Sequence, residues 1–333
     1  MTRARSLADL GGPADTGLFF RNRIINGDMR IDQRNNGASV IPLDGQYSLD
    51  RWGCYRSQAS RFAFQQNAGS VTPPAGFTNY LGITSLSSYS SIASDYLGVA
   101  QSIEGFNCAD FAFGTASART VNLSFLVRSS LTGTFGGSLR NSAFNRSYVF
   151  SYTISAANTW EFKTITIPGD AVGQWLTNNG IGINVWFDLG SGSNFTGAPG
   201  SWLAANLLRP SGSVSLVGVN NATWQVTGIQ LEAGSVATPF ERRPYGTELA
   251  LCQRYYEVLP LNASGFSITG GFFNTADYRA HWFFKQTKRA LPTLTGSWIA
   301  GPTVSYVSTD NSVYYHTAPS FYNTSALTAS AEL

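Results

Sequence analysis

Apolar residues alternate with polar ones at a period of two along much of this chain. Val121, Leu123, Phe125 and Val127 are spaced by Asn122, Ser124, Leu126 and Arg128. Ile181, Ile183, Val185 and Phe187 are spaced by Gly182, Asn184, Trp186 and Asp188. Successive side chains of a strand point to opposite faces, so this spacing predicts strands with one buried face. Shorter runs over 148–154, 160–167, 214–219 and 223–231 read the same way. Loops of Gly, Ser, Asn and Pro separate them, as at 190–194 and 210–213. Many short strands joined in this way predict an all-β fold, an antiparallel sandwich or jelly roll. A parallel α/β sheet would need repeated amphipathic helices, and the pattern contains none.

Two stretches have helical character. Residues 170–176 predict a single turn. The stronger is 247–257, where Thr247 is placed to cap, Glu248 falls in the first turn, and Leu249, Cys252 and Tyr256 share a face. Pro260 follows. Beyond it, β-type runs resume at 265–273, 278–284, 293–298 and 302–308. The expected organisation is an N-terminal attachment segment (1–20), a sandwich (21–246), a short helix (247–257) and a smaller C-terminal β module (258–333).

Composition sharpens this picture. Hydrophobic residues make up 43% of the 333 residues and aromatics 14%, enough for a core, yet charged residues are only 12%. The charge is uneven. Residues 1–61 hold nine Arg and six Asp, whereas residues 62–240 hold six basic and seven acidic groups. A surface built from Ser, Thr, Asn, Gln and Gly suits packing against another chain or hydrogen bonding to hydroxyl-rich ligands. It lacks the concentrated Lys and Arg that phosphate backbones require, which argues against nucleic acid. No apolar run approaches 18 residues, which argues against membrane insertion. Three cysteines (Cys54, Cys108, Cys252) make neither a closed disulfide set nor a zinc pattern. The start of the chain has no apolar core of a signal peptide, so the six Asn-x-Ser/Thr sites read as by-products of composition and synthesis is expected in a reducing cytosol.

Catalytic chemistry has little to draw on. The two histidines, His281 and His316, lie in the C-terminal module, and no nucleophile elbow, metalloprotease helix or phosphate loop is present. Cys252 on the apolar helix face is expected to be inert. Asp95, Glu104, Asp110, Glu161, Asp170 and Asp188 are the acids from which a glycosidase pair would have to be drawn. Aromatics are more informative. Trp282, Trp298, Tyr306, Tyr314, Tyr315 and Tyr322 crowd the last stretch of chain, filling a small core or forming a platform for sugar rings.

Three segments resemble a known family. They are Arg-Asn-Arg-Ile-Ile-Asn-Gly-Asp-Met-Arg-Ile-Asp-Gln-Arg over 21–34, Tyr-Ser-Leu-Asp-Arg-Trp over 47–52, and a long segment over 228–256 that opens Gly-Ile-Gln-Leu-Glu-Ala-Gly. Together they resemble tail-fibre and related minor structural proteins of tailed bacteriophages, of cyanophage and marine phage type. The resemblance implies a carbohydrate-binding-module-like jelly roll in a homotrimeric virion component, assembled in host cytoplasm. Related jelly rolls often hold a structural calcium through a first-strand Asn-Gly-Asp. Asn26-Gly27-Asp28 matches that half, but the last-strand region Thr227-Gly228-Ile229-Gln230 lacks its acid, so no metal and no other cofactor is expected.

Most signature residues carry structural expectations. Gly27 and Gly228 let the first and last strands approach or bend. Asp28 belongs to the first-strand motif. Asp50 or Glu232 pairs with Arg30 or Arg51, and Trp52 anchors the core. Phe240 packs beneath the helix as the chain leaves the sandwich. Arg242, Arg243 and Arg254 make bidentate contacts, candidates for contacts between subunits. The expected function is a trimeric tail fibre, not an enzyme, tied to other tail or baseplate proteins through residues 1–20 and binding host surface glycan. Trp282, Trp298, Tyr314, Tyr315 and Tyr322 are the expected sugar contacts, placed at the end farther from the attachment segment. An architectural head-decoration or baseplate protein without a receptor is the alternative, and a capsule-degrading hydrolase the third reading.

Overall fold

A computed structural model describes residues 20–260, 270–272, 278–296, 303–316 and 326–333. Fourteen strands come first: β1 (Tyr47–Leu49), β2 (Trp52–Arg56), β3 (Phe62–Gln66), β4 (Leu81–Ser85), β5 (Leu97–Glu104), β6 (Val121–Ser129), β7 (Gly133–Arg140), β8 (Ser147–Ile154), β9 (Glu161–Ile167), β10 (Ile181–Asp188), β11 (Thr196–Gly197), β12 (Trp202–Leu203), β13 (Arg209–Pro210) and β14 (Thr223–Ala233). Twelve of them form two antiparallel sheets, ordered β1-β2-β5-β10-β7-β8-β12 and β3-β4-β14-β6-β9. The chain crosses repeatedly from one sheet to the other, as a jelly roll requires. β11 and β13 make a small parallel pair.

Alternation explains the core. Trp52, Val99, Val185, Phe187, Leu139 and Phe150 of the first sheet meet Phe64, Ile83, Leu123, Phe125, Trp224 and Val226 of the second, all with at most 2% exposure. Residues 214–219 depart from the expected strand. Leu216 and Val217 are adjacent and both buried, which alternating strand faces do not allow against one core, so a 3-10 turn forms at Leu216–Gly218. Residues 170–176 form no helix. The Asp170 carboxylate takes Arg146, the Val172 amide and the Trp175 indole, local bonds that compete with helical ones.

The helix, α1 (Tyr245–Gln253), starts two residues earlier than expected, directly after Pro244, whose carbonyl accepts the Glu248 amide. Thr247 therefore lies inside the first turn. Cys252 packs with Ile25, Ile31 and Tyr255, and burial pushes its thiol well above the ordinary range. Tyr256 instead opens β15 (Tyr256–Leu259). After it come β16 (Gly270–Phe272), β17 (Tyr278–Phe283), β18 (Thr293–Thr295), β19 (Thr303–Val307), β20 (Asn311–His316) and β21 (Leu327–Ser330), in sheets β15-β21-β18 and β16-β17-β20-β19.

The signature segments close one end of the sandwich. A side chain at Gly27 would sit 2.2 Å from the Ile229 carbonyl, and Gly228 takes a left-handed φ of 62°. Asn22 bonds the backbone of both Ile229 and Leu231, and Glu248 accepts the Asn26 amide. Trp52 is fully buried, leans on Phe187, and donates its indole N–H to the Asn26 carbonyl at 3.1 Å.

Ion pairing differs from expectation. Arg30 pairs with Asp28, while Asp50 accepts two bonds from Gln33, and burial pushes its carboxyl up to about 7. Arg51 reaches Glu332 at the other end of the chain, and Glu232 holds Gln230 and Thr238. Arg243 pairs with Glu241 and Glu248, and Arg254 grips Glu104 with two bonds of 2.9 and 2.6 Å. These two arginines are thus spent within one chain. Phe240 does not lie beneath the helix. It meets Phe77 edge-on at 5.2 Å, and the exposed Arg242 stacks over Phe77.

Candidate functional site

The outward face of the seven-stranded sheet carries a cleft of about 290 Å³. The strand register that buries Val185 and Phe187 turns Asn184 and Trp186 outward. Trp186 stands opposite Ala100 and Ser138, and Asn184 opposite Ser102 and Arg140. Tyr55 stands opposite Gly98 on the next strand. Small neighbours make the room. A Cβ at Gly98 would lie 2.3 Å from the Trp186 ring, so glycine is what lets the indole lie flat on the sheet.

Loops complete the walls. Asp44, Tyr96, Phe144, Phe195, Asn206 and Leu208 line the cleft with the four sheet residues Tyr55, Arg140, Asn184 and Trp186. Tyr55 and Trp186 are 5.7 Å apart at a tilt of 41°, and Tyr96 meets Phe195 edge-on at 6.3 Å. Trp186 and Leu208 are buried with Ala100 as the floor, while Tyr55, Tyr96 and Phe195 remain half-buried above it.

Polar groups are fixed among these rings. Arg140 donates to the side-chain oxygens of Asn206 and Asn184, each at 2.8 Å, and its guanidinium lies 4.3 Å from the Phe144 ring centre and 5.0 Å from that of Trp186. Asn184 in turn donates to Ser102. Burial pulls the Arg140 guanidinium down to about 9. At the rim, Asp44 accepts the Tyr96 hydroxyl at 2.9 Å and the Arg56 amide at 2.8 Å. Beneath the cleft the indole N–H of Trp186, Nε of Arg140 and the Ser138 hydroxyl have no hydrogen-bond partner. Open aromatic faces beside rigid donors and acceptors can hold a ligand that is apolar on one side and hydroxylated on the other.

The acids considered for catalysis are dispersed and engaged. Asp95 takes Ser57, Gln58 and Tyr89, Glu104 takes Arg254 and Tyr255, and Asp110 takes Arg23. Glu161 holds Lys163, Asp170 holds Arg146, and Asp188 faces Arg209. Asn26, the first residue of the expected half calcium motif, bonds Ile31 and Asp50 backbone atoms.

The C-terminal aromatics fare differently. Trp282 is only 3% exposed, packed with Leu327 and Ala329 and against Phe284, so it fills a small core and offers no open face to a sugar. Tyr314 and Tyr315 lie on β20, with side chains outside those described; Trp298 and Tyr322 lie outside the described residues. His281 is exposed and stacks on Phe283. Residues 1–19 of the expected attachment segment lie outside the described residues. β21 pairs with β15 beside the helix, and Leu333 accepts the Tyr47 hydroxyl at 2.6 Å, which returns the end of the chain to the sandwich.

No protein-family model matches the chain, and no curated protein sequence matches it. Among solved structures, the family 11 carbohydrate-binding module from Clostridium thermocellum, in complex with a β-1,3-1,4-mixed-linked tetrasaccharide, aligns over 59% of this chain and 96% of its own, at 16% identity and a TM-score of 0.30. A putative sugar binding protein from Bacteroides thetaiotaomicron aligns over 64% and 100%, at 10% identity and a TM-score of 0.36. The CBM22-1 xylan-binding domain from Paenibacillus barcinonensis Xyn10C aligns over 65% and 96%, at 8% identity and a TM-score of 0.30. Likeness of this size carries nothing about what the cleft holds.

Proposed function

We propose that this chain is a glycan-binding protein rather than an enzyme, and that the ligand lies in the cleft on the seven-stranded sheet. The observation that carries this reading is the juxtaposition of Tyr55, Tyr96 and Phe195 with Arg140, Asn184 and Asn206 around one open cleft. Ring faces take the C–H side of a sugar, and the amides and guanidinium take its hydroxyls. Tyr55→Ala and Tyr96→Ala are each expected to weaken binding to the best ligand on an oligosaccharide array at least about tenfold, or about 1.4 kcal/mol. Their melting temperatures should stay close to that of the parent. If both variants bind as the parent does, the glycan lies elsewhere.

The virion role is part of the same proposal and rests on the sequence resemblance. The segments that carry it meet around Asn22, Asn26, Ile229 and Glu248, where a shared scaffold would need them. A homotrimeric tail fibre is the reading we favour. Light scattering of the purified protein should give close to three times 35.9 kDa. A clean monomer at micromolar concentration would count against the fibre, and labelling on the phage head would favour the decoration reading.

A further inference from the structure

Four arginines are buried among the described residues: Arg51, Arg140, Arg209 and Arg243. Three of them face a carboxylate, from Glu332, Asp188, and Glu241 with Glu248. Arg140 faces none. Its two hydrogen bonds end on amide oxygens, and its flanks are the rings of Phe144 and Trp186. A guanidinium has five N–H donors, and the buried Nε finds no hydrogen-bond partner among the described residues. A charge taken out of water and left without a counter-ion is costly, which is why such groups are ordinarily paired. Here the unpaired cation sits in the wall of a cleft that opens to solvent.

From this geometry we infer that the cleft takes an acidic sugar, a uronic-acid residue whose carboxylate pairs with Arg140 while its ring rests against the tyrosines. The inference rests on the cleft being the glycan site and names the class of glycan. A planar carboxylate matches the donor fork of a guanidinium, and the pair is strongest where water is excluded. Asn206 and Asn184 hold the guanidinium from two sides, so the charge is positioned before the ligand arrives. The one carboxylate in the lining is Asp44, which is exposed, engaged with Tyr96 and Arg56, and beyond ion-pair distance from Arg140. It restricts the acidic ring to the Arg140 end of the cleft and leaves the Tyr96 end to a neutral neighbour.

The test compares paired ligands on the unaltered protein. Glucuronoxylan oligosaccharides and oligogalacturonates are titrated beside their carboxyl-reduced counterparts, at low and at physiological salt. At least one acidic member is expected to bind tenfold or more tighter than its reduced partner, with a margin that narrows as salt rises. Arg140→Gln should erase the margin, weakening the acidic ligand at least tenfold more than its neutral partner; Asn206→Ala, at an exposed position, should reduce the margin without disturbing the core. Equal binding of acidic and reduced ligands overturns the inference but leaves the glycan site standing. Binding of neither, on these probes and on a broad neutral array, overturns the glycan reading itself. A margin that survives in a folded Arg140→Gln protein places the acidic subsite elsewhere.

Discussion

Replacing Glu332 by Ala is expected to loosen the end of the chain from the sandwich at a cost of about 3–5 kcal/mol, the usual range for breaking a buried ion pair. Glu332 bridges two arginines, Arg34 at 2.6 Å and Arg51. Arg51 is 1% exposed, stacked 3.5 Å from the Tyr255 ring centre, and its other bond goes to the Ser102 carbonyl. Without Glu332 its charge would be stranded in the interior. The tail has further ties, since Arg289 bonds the carbonyls of Ala331 and Glu332 and Tyr47 bonds Leu333. Those are weaker than the ion pair and should not hold it alone. Urea denaturation should show the loss, and limited proteolysis should clip the tail faster. Adding Arg51→Met to Glu332→Ala should recover much of the stability by removing the stranded charge. A single variant as stable as the parent would mean that water reaches Arg51.

Trp52→Ala is the second large loss, expected at about 3–5 kcal/mol for a fully buried aromatic reduced to a methyl group. The indole is fully buried, fills space against Phe187 in the centre of the core, and supplies the donor for the Asn26 carbonyl. That carbonyl belongs to the signature segment that holds the first strand region to β14, so the cavity and the lost bond fall on one structural joint. Trp52→Phe keeps most of the ring and gives up the N–H, and should cost nearer 1–2 kcal/mol. Thermal unfolding of the three proteins separates the two contributions. If the Ala variant melts with the parent, Trp52 is not the anchor its burial indicates.

Much of the sandwich was legible in the chain. The runs at 121–127, 148–154, 181–187 and 223–231 all fall in strands, because one face of each is apolar and the other is not. β7 was not among the predicted runs, since Gly133, Gly136 and Gly137 interrupt its apolar alternation. In the fold a Cβ on Gly137 would lie 1.9 Å from the Trp186 carbonyl, so the glycine belongs to close strand packing and not to a turn. Without β7 and β2 in view, Arg140 and Tyr55 had no place beside Trp186. The signal within reach was Trp186 itself, a large aromatic on the polar side of an otherwise regular alternation.

The sequence alone determined the class of fold, the burial of Cys252 on the apolar helix face, the core role of Trp52 and the scarcity of charge. Each depends on local periodicity or on composition, which survive without knowledge of what lies across the sheet. Tertiary structure alone decided which arginine meets which acid, that Trp282 is core, and that a cleft exists. Arg51 and Glu332 are separated by 281 positions, and the cleft draws Asp44, Tyr96, Arg140, Trp186 and Asn206 from separate strands and loops. Such groups meet only because antiparallel pairing sets their register and the loops fold back over the sheet. Whether a side chain becomes core, counter-ion or binding surface is settled by the neighbour it is brought against, and that neighbour is distant in sequence.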